Sequence, residues 1–210
     1  MPPTLDEIEA RVLGCLIEKS VTTPELYPLT LNALVNACNQ KSSREPVMTL
    51  DYGAAQRGLD SLIAKGYAAR RYEPGGRAEK FGHRAEVLLG TEDAKTIGLI
   101  CVLLLRGAQT VGELKTRTER LCSFADIAEV DALLQQLTAR ADGPIVERLP
   151  RQPGQKEARW RHLFTPVSAA AEAPAAAASQ PAAAAPGLEQ RLAALEERVA
   201  ALERRLSESR

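Results

Sequence analysis

The sequence predicts an α+β protein, mainly helical with small β-hairpins, laid out as a repeated unit. Three observations predict it. The stretch PGGRAEKFGH at 74–83 returns as PGQKEARWRH at 153–162, setting Arg77 over Lys156, Lys80 over Arg159, Phe81 over Trp160 and His83 over His162. Upstream of each copy lie three segments whose apolar residues recur at helical spacing. From Thr165 the composition turns to Ala and Pro, and the repeat ends there.

In the first unit, LDEIEARVLGCLIEK places Leu5, Ile8, Val12 and Leu16 on one helical stripe. TTPEL follows, a polar start with Pro24 that suits the opening of a second helix. LTLNALVNACN continues it through Leu29, Leu34, Val35 and Cys38. LDYGAAQRGLDSLIAKG, a third helix over 51–65, carries Ala55, Leu59, Leu62 and Ile63 on one face and stops at Gly66, a residue able to end a helix in the left-handed region. YAARRYEPGGRAEKFGH then changes to two short extended runs around Pro-Gly-Gly, which reads as a hairpin.

The second unit supplies the same parts as EDAKTIGLICVLLLRG, TVGELKTRTERL, FADIAEVDALLQQLTAR and PIVERLPRQPGQKEARWRHLF, with TVGEL at 110–114 set against TTPEL at 22–26. Helix, helix, helix, hairpin is the winged helix-turn-helix arrangement, so two such domains are expected, at 1–88 and 89–165. Domains this small bury little more than half of the surface they expose when unfolded, and the two are expected to pack on each other.

Residues 166–187 form an Ala/Pro-rich linker expected to be disordered, because Pro interrupts any helix and nothing large is available for a core. In 188–210, Leu188, Leu192, Leu195, Val199, Leu202 and Leu206 follow one another in alternating four- and three-residue steps, the a/d seam of a coiled-coil helix. Glu189, Glu196 and Glu203 fall at e, and Arg191, Arg198 and Arg205 at g. Opposite charges meet only in a parallel pair, so a parallel homodimer is expected. The other reading is a single amphipathic helix lying on its own domain.

The chain has 210 residues, 45 % of them apolar, as in ordinary globular proteins. IGLICVLLL at 97–105 is too short for a membrane span, and MPPTLDEIEA has no charged start followed by an apolar run, so no membrane partner and a cytoplasmic location are expected. Cys15, Cys38, Cys101 and Cys122 form no C-x-x-C pair and read as buried thiols rather than metal ligands. Neither histidine has a nearby Ser or Cys arranged as a nucleophile, and EPGGR lacks the G-x-x-x-x-G-K-[ST] pattern of a phosphate loop. The expectation is therefore a protein that is not an enzyme, with no catalytic residue, cofactor or metal.

Lys plus Arg equals Asp plus Glu at 27 each, which excludes a uniformly basic nucleic-acid binder but not a locally basic face. Such faces are predicted at the hairpins, where Arg70, Arg71, Arg77 and Lys80 in the first and Lys156 and Arg159 in the second are candidates for DNA phosphates. The same cations could instead pair across strands. On the third helix of the first unit Gln56 and Arg57 fall off the apolar face, and both residue types can read base edges. The corresponding helix of the second unit offers Asp126, Glu129 and Asp131, which repel phosphate, so a protein partner is the alternative there. The polar run Asn39 to Arg44 is open to two roles, a phosphate contact or a set of caps that bridges the domains.

The phrases CLIEKSVTTPELYPLTLNALVNACNQKSSREPVM, LLLRGAQTVGELKTRTERL and DGPIVERLPRQPGQKEARWRHLF resemble the YceH-like family of bacterial proteins, over residues 5 to about 164. The resemblance implies a tandem winged-helix fold and brings no catalytic residue, cofactor or partner with it. Together these readings lead to the expectation of a dimeric, duplex-DNA-binding protein that acts as a transcriptional regulator, with a protein-docking module as the competing reading.

Overall fold

A computed structural model describes residues 4–72, 78–151 and 153–166. The segment from 167 onward, with the linker and the heptads at 188–210, lies outside the described residues, as do 73–77 with Arg77. The described chain is mainly helical with two small antiparallel sheets. Its first half runs α1 (Glu7–Thr22), β1 (Leu29–Thr30), α2 (Leu31–Cys38), α3 (Tyr52–Ala64), β2 (Ala68–Arg71), β3 (Lys80–His83) and α4 (Ala85–Leu89). The second runs α5 (Ala94–Arg106), α6 (Val111–Thr118), α7 (Ile127–Thr138), β4 (Val146–Arg148) and β5 (Trp160–His162). No helix among the described residues is long and apolar enough to cross a membrane.

Most helices begin at a side chain that takes up a first-turn N–H, each such cap contributing about 1 kcal/mol. Asp6 and Glu9 form a reciprocal capping box on α1, with both bonds at 2.7 Å. Thr110 and Glu113 do the same on α6. Thr30, Asp51, Asp93 and Asp126 cap α2, α3, α5 and α7.

The second helix does not start at TTPEL. Pro28 lacks an N–H, and the residue before a proline is driven out of helical backbone, so no helix can run through Tyr27 and Pro28. Pro24–Leu26 makes a single 3-10 turn, Leu29–Thr30 pairs as a strand, and α2 begins only at Leu31. The counterpart of Thr110 is therefore Thr30, not Thr22. Each caps a helix, and each follows a residue paired with the hairpin aromatic, Leu29 with Phe81 and Gln109 with Trp160. The first sheet thus has three strands, in the order β1-β3-β2, where a simple hairpin was expected; the second pairs β4 with β5. Helix α4 was also unforeseen, since five residues are too few to show a period.

Phe81 and Trp160 are each 2 % exposed, which places the two aromatics of the repeated phrase in the core. One continuous core runs through both halves. Helix α1 is its centre. At Gly14 a Cβ would stand 2.8 Å from the Leu105 side chain of α5, and the Cys101 thiol donates to the Gly14 carbonyl at 3.3 Å. Across another face, Glu9 is 2 % exposed and takes Lys65 at 2.6 Å and Ser61 of α3 at 2.5 Å. The Leu5 N–H donates to the Phe164 carbonyl at 2.6 Å, so both ends of this body meet.

The polar run after α2 takes the second of its two roles. Arg44 is 5 % exposed, with its guanidinium on the Ala37 carbonyl at 3.0 Å and on both Glu18 oxygens at 3.1 and 2.5 Å. Arg11, equally sequestered, donates to the Cys38 and Pro46 carbonyls. Glu18 pairs the buried charge of Arg44, while that of Arg11 is met by carbonyl oxygens. Asn39 exchanges two hydrogen bonds with the Leu50 backbone, Arg106 donates to Ser43 at 2.6 Å, and the Glu45 N–H reaches the Leu105 carbonyl at 2.9 Å. The loop caps α2 and fastens the first half to α5.

Candidate nucleic-acid interface

Helix α3 buries Ala55, Gly58, Leu59 and Leu62, and this fixes what it turns outward. Tyr52, Gly53, Arg57 and Asp60 are exposed and Gln56 is half-buried. Gln56 and Arg57 therefore stand where the helical period places them. The Arg57 guanidinium lies back along the first turn, 3.2 Å from where a Cβ on Gly53 would be, and forms no ion pair among the described residues.

The β2–β3 hairpin adjoins this face. Arg70 of β2 reaches Asp60 of α3 at 3.5 Å and Glu79 at 3.0 Å, so strand and helix contribute to one surface. Much of the Arg70 charge is answered by those two carboxylates. In the next register position Arg71 faces Lys80 across the strands.

The cations of the second half are disposed differently. Arg159 is half-buried, donating to the Ala108 carbonyl at 2.8 Å and pairing with Glu113 at 3.1 Å, which leaves its guanidinium occupied within the fold. Arg161 pairs with Glu147, and Lys95 with Glu129 while also lying 5.6 Å from the Phe124 ring centre. Lys156 and Arg148 are exposed. Sequence spacing could not reveal the partners of Arg159, which lie about fifty positions upstream in the chain.

The repeated histidines serve the fold. His83 Nδ1 accepts the Ala85 N–H and His162 Nδ1 the Phe164 N–H, each at 3.2 Å, so one two-residue turn closes both hairpins. The remaining proton of a neutral His83 is then on Nε2, 3.1 Å from Ser20 Oγ, which itself donates to the Ile17 carbonyl. Burial lowers the pKa of both rings, that of His162 to about 4. Among the described residues no group of three or more His, Cys, Asp or Glu is placed to hold a metal ion. Cys15, Cys38 and Cys101 are buried thiols and Cys122 is half-buried.

Residues 5–155 match a family model described as "Protein of unknown function, DUF480". A UPF0502 protein of Vibrio cholerae is 50 % identical over 166 residues, covering 76 % of each chain. One from Geotalea daltonii is 51 % identical over 176 residues, covering 83 % of this chain and 79 % of its own. Another, from Aeromonas hydrophila, is 48 % identical over 185 residues, covering 84 % and 83 %.

Proposed function

Starting from the fact that the chain belongs to the DUF480 family, the same family as the YceH-like proteins, we propose that it is a tandem winged-helix protein that binds duplex DNA through its first half. In this reading α3 is the groove-reading helix, β2–β3 is a wing that contacts phosphate, and the second half repeats the fold without the same role. One observation carries it. The outward face of α3, with Gln56 and Arg57, is joined through Arg70 and Asp60 to a hairpin on which Arg71 and Lys80 face each other. On that hairpin the exposed Arg71 would be the group that meets a phosphate.

Arg57 and Arg71 are the leading phosphate contacts in this proposal, with Gln56 for a base edge. Arg70 contributes what Asp60 and Glu79 leave of its charge, and Arg77 belongs to the same wing by sequence. In the second half Lys156 stays in the set, while Arg159 leaves it because Glu113 and the Ala108 carbonyl hold it. No catalytic role is proposed. A cytoplasmic transcriptional regulator, dimeric through the 188–210 heptads, is the biological setting this implies.

The test is fluorescence anisotropy of a random-sequence duplex against the full chain, from about 50 to about 200 mM salt. Binding should weaken steeply with salt. In Arg57→Ala/Arg71→Ala it should be weaker throughout, and the slope of log K on log salt should be shallower by about 2. No binding at any salt sinks the reading.

A second reading, protein docking, is favoured for the second half alone. Ile127 at the start of α7 is 56 % exposed beside exposed Ala128 and Ala132, while the nearby Glu129 and Lys95 neutralise each other. Such a face suits an apolar partner surface better than phosphate.

A further inference from the structure

We infer that the junction between the two halves holds a binding site for a small phosphorylated anion, gripped by Lys19, Lys41 and Arg120. A cavity of about 400 Å³ opens there, bounded by the end of α1, by the turn at 40–43 and by Arg120 just beyond α6. That volume lies within the range of small-molecule sites. Its lining sets those three cations against a single carboxylate, Glu18, and both oxygens of Glu18 are already held by the buried Arg44. Lys19 stands 3.7 Å from Glu18 and also complements the C-terminal dipole of α1. Lys41 and Arg120 are exposed and enter no ion pair among the described residues. Their charge is left for a ligand.

Two further observations point the same way. Ser43, in the cavity wall, has a φ of 60°, a left-handed conformation that side chains other than glycine seldom take and that clusters at ligand clamps. Its hydroxyl is fastened by Arg106, which brings another guanidinium up behind the cavity. Arg106 itself is held below its ordinary pKa by burial, then by the repulsion of Arg117 and Arg44. Arg117 Nη1 is buried with no hydrogen-bond partner, and Glu113, the carboxylate beside Arg117, is shared with Arg159. Around the cavity Lys19, Lys41 and Arg120, with Arg106 and Arg117 behind them, outnumber the carboxylates Glu18, Glu45 and Glu113, so several charge-assisted contacts are open to an anion at once. A phosphoryl group, with several acceptor oxygens and more than one charge, can engage lysine, guanidinium and hydroxyl donors together. A lone carboxylate would use fewer of them.

Phosphate could come from a free small molecule or from a nucleic-acid backbone. A concavity walled by three separate chain segments suits the small molecule, and none of its lining belongs to the α3 and hairpin surface assigned to DNA. The proposal thus stands independently of DNA binding.

The experiment is calorimetric titration of the full chain with inorganic pyrophosphate, ionic strength being matched with chloride. Wild type should bind. Affinity should fall at least about tenfold in Lys41→Ala/Arg120→Ala, which removes two charge-assisted contacts. It should be unchanged in Arg148→Ala, which removes an exposed cation elsewhere. Because Lys41 and Arg120 are exposed, the double variant should keep the wild-type circular dichroism spectrum. No binding to wild type, or equal affinity in the double variant, overturns the site. A duplex-DNA arm separates the sources: if the double variant loses DNA binding while pyrophosphate does not bind wild type, the cations serve a nucleic-acid backbone and the small-anion site falls.

Discussion

His162 carries a pH dependence that its surroundings dictate. The ring is 8 % exposed, its Nδ1 is taken by the Phe164 N–H, and burial, then the nearby Arg161, lowers its pKa to about 4. Unfolded imidazole takes its proton near pH 6.5. Between those two values the unfolded chain binds more protons than the folded one, so stability falls as pH falls and is fully present only above about 6.5. His83, lowered in the same direction, adds to the same window. Glu9 and Asp93, held below their ordinary values, lose their contribution only at still lower pH. Urea unfolding at pH 7 and pH 5 should show wild type losing about 2 kcal/mol through His162. In His162→Gln that share of the loss should disappear; an equal loss in both proteins would assign the dependence to other groups. At this scale the sequence was informative about kind but not about partner. Phe81 and Trp160 alternate with cations along their strands, a pattern that belongs to a strand with one face inward, and both are buried. Nothing in periodicity could say that Arg44 turns inward to Glu18, or that Arg159 is held by Glu113, because those pairs form only once distant segments are folded together.

Among elements, α1 is the one that both halves use, and Gly14 is the place where this is tightest. Alanine in place of a helical glycine contributes up to about 1 kcal/mol through propensity. A Cβ there, however, would meet Leu105 at 2.8 and 2.9 Å and Leu104 at 3.3 Å, within a core that cannot yield easily. Overpacking of that kind costs about 1–3 kcal/mol, so Gly14→Ala should be less stable by about 1–2 kcal/mol. Gly112→Ala on α6, whose Cβ would meet no atom within 4 Å, should instead be neutral or more stable by up to about 1 kcal/mol. The two urea midpoints make the comparison, and equal midpoints would remove Gly14 as a packing constraint. Helical elements were legible because apolar spacing and stop signals agree. The start of α2 was not, since Pro24 resembles a helix opening and only Pro28, four residues later, forbids it.

For the whole molecule, a formal charge of zero conceals an uneven distribution. The second half neutralises Lys95, Arg159 and Arg161 internally, whereas Arg57, Arg71, Lys41 and Arg120 remain outward on the surfaces proposed for DNA and for a small anion. Charge counts could exclude a uniformly basic protein but could not locate these faces, and the anion cavity was invisible because three segments far apart in sequence wall it. The assembly proposed for the heptads is open to a direct measurement. Deleting 188–210 should lower the mass seen by light scattering from dimer to monomer, and an unchanged mass would sink the zipper. The bond between the Leu5 N–H and the Phe164 carbonyl has a topological meaning of its own. A body whose entry and exit points touch is, in connectivity, a ring with one cut. Its core records which helices neighbour one another but not where along the ring translation begins, so the order of α1 through β5 could be rotated by circular permutation without altering what packs on what.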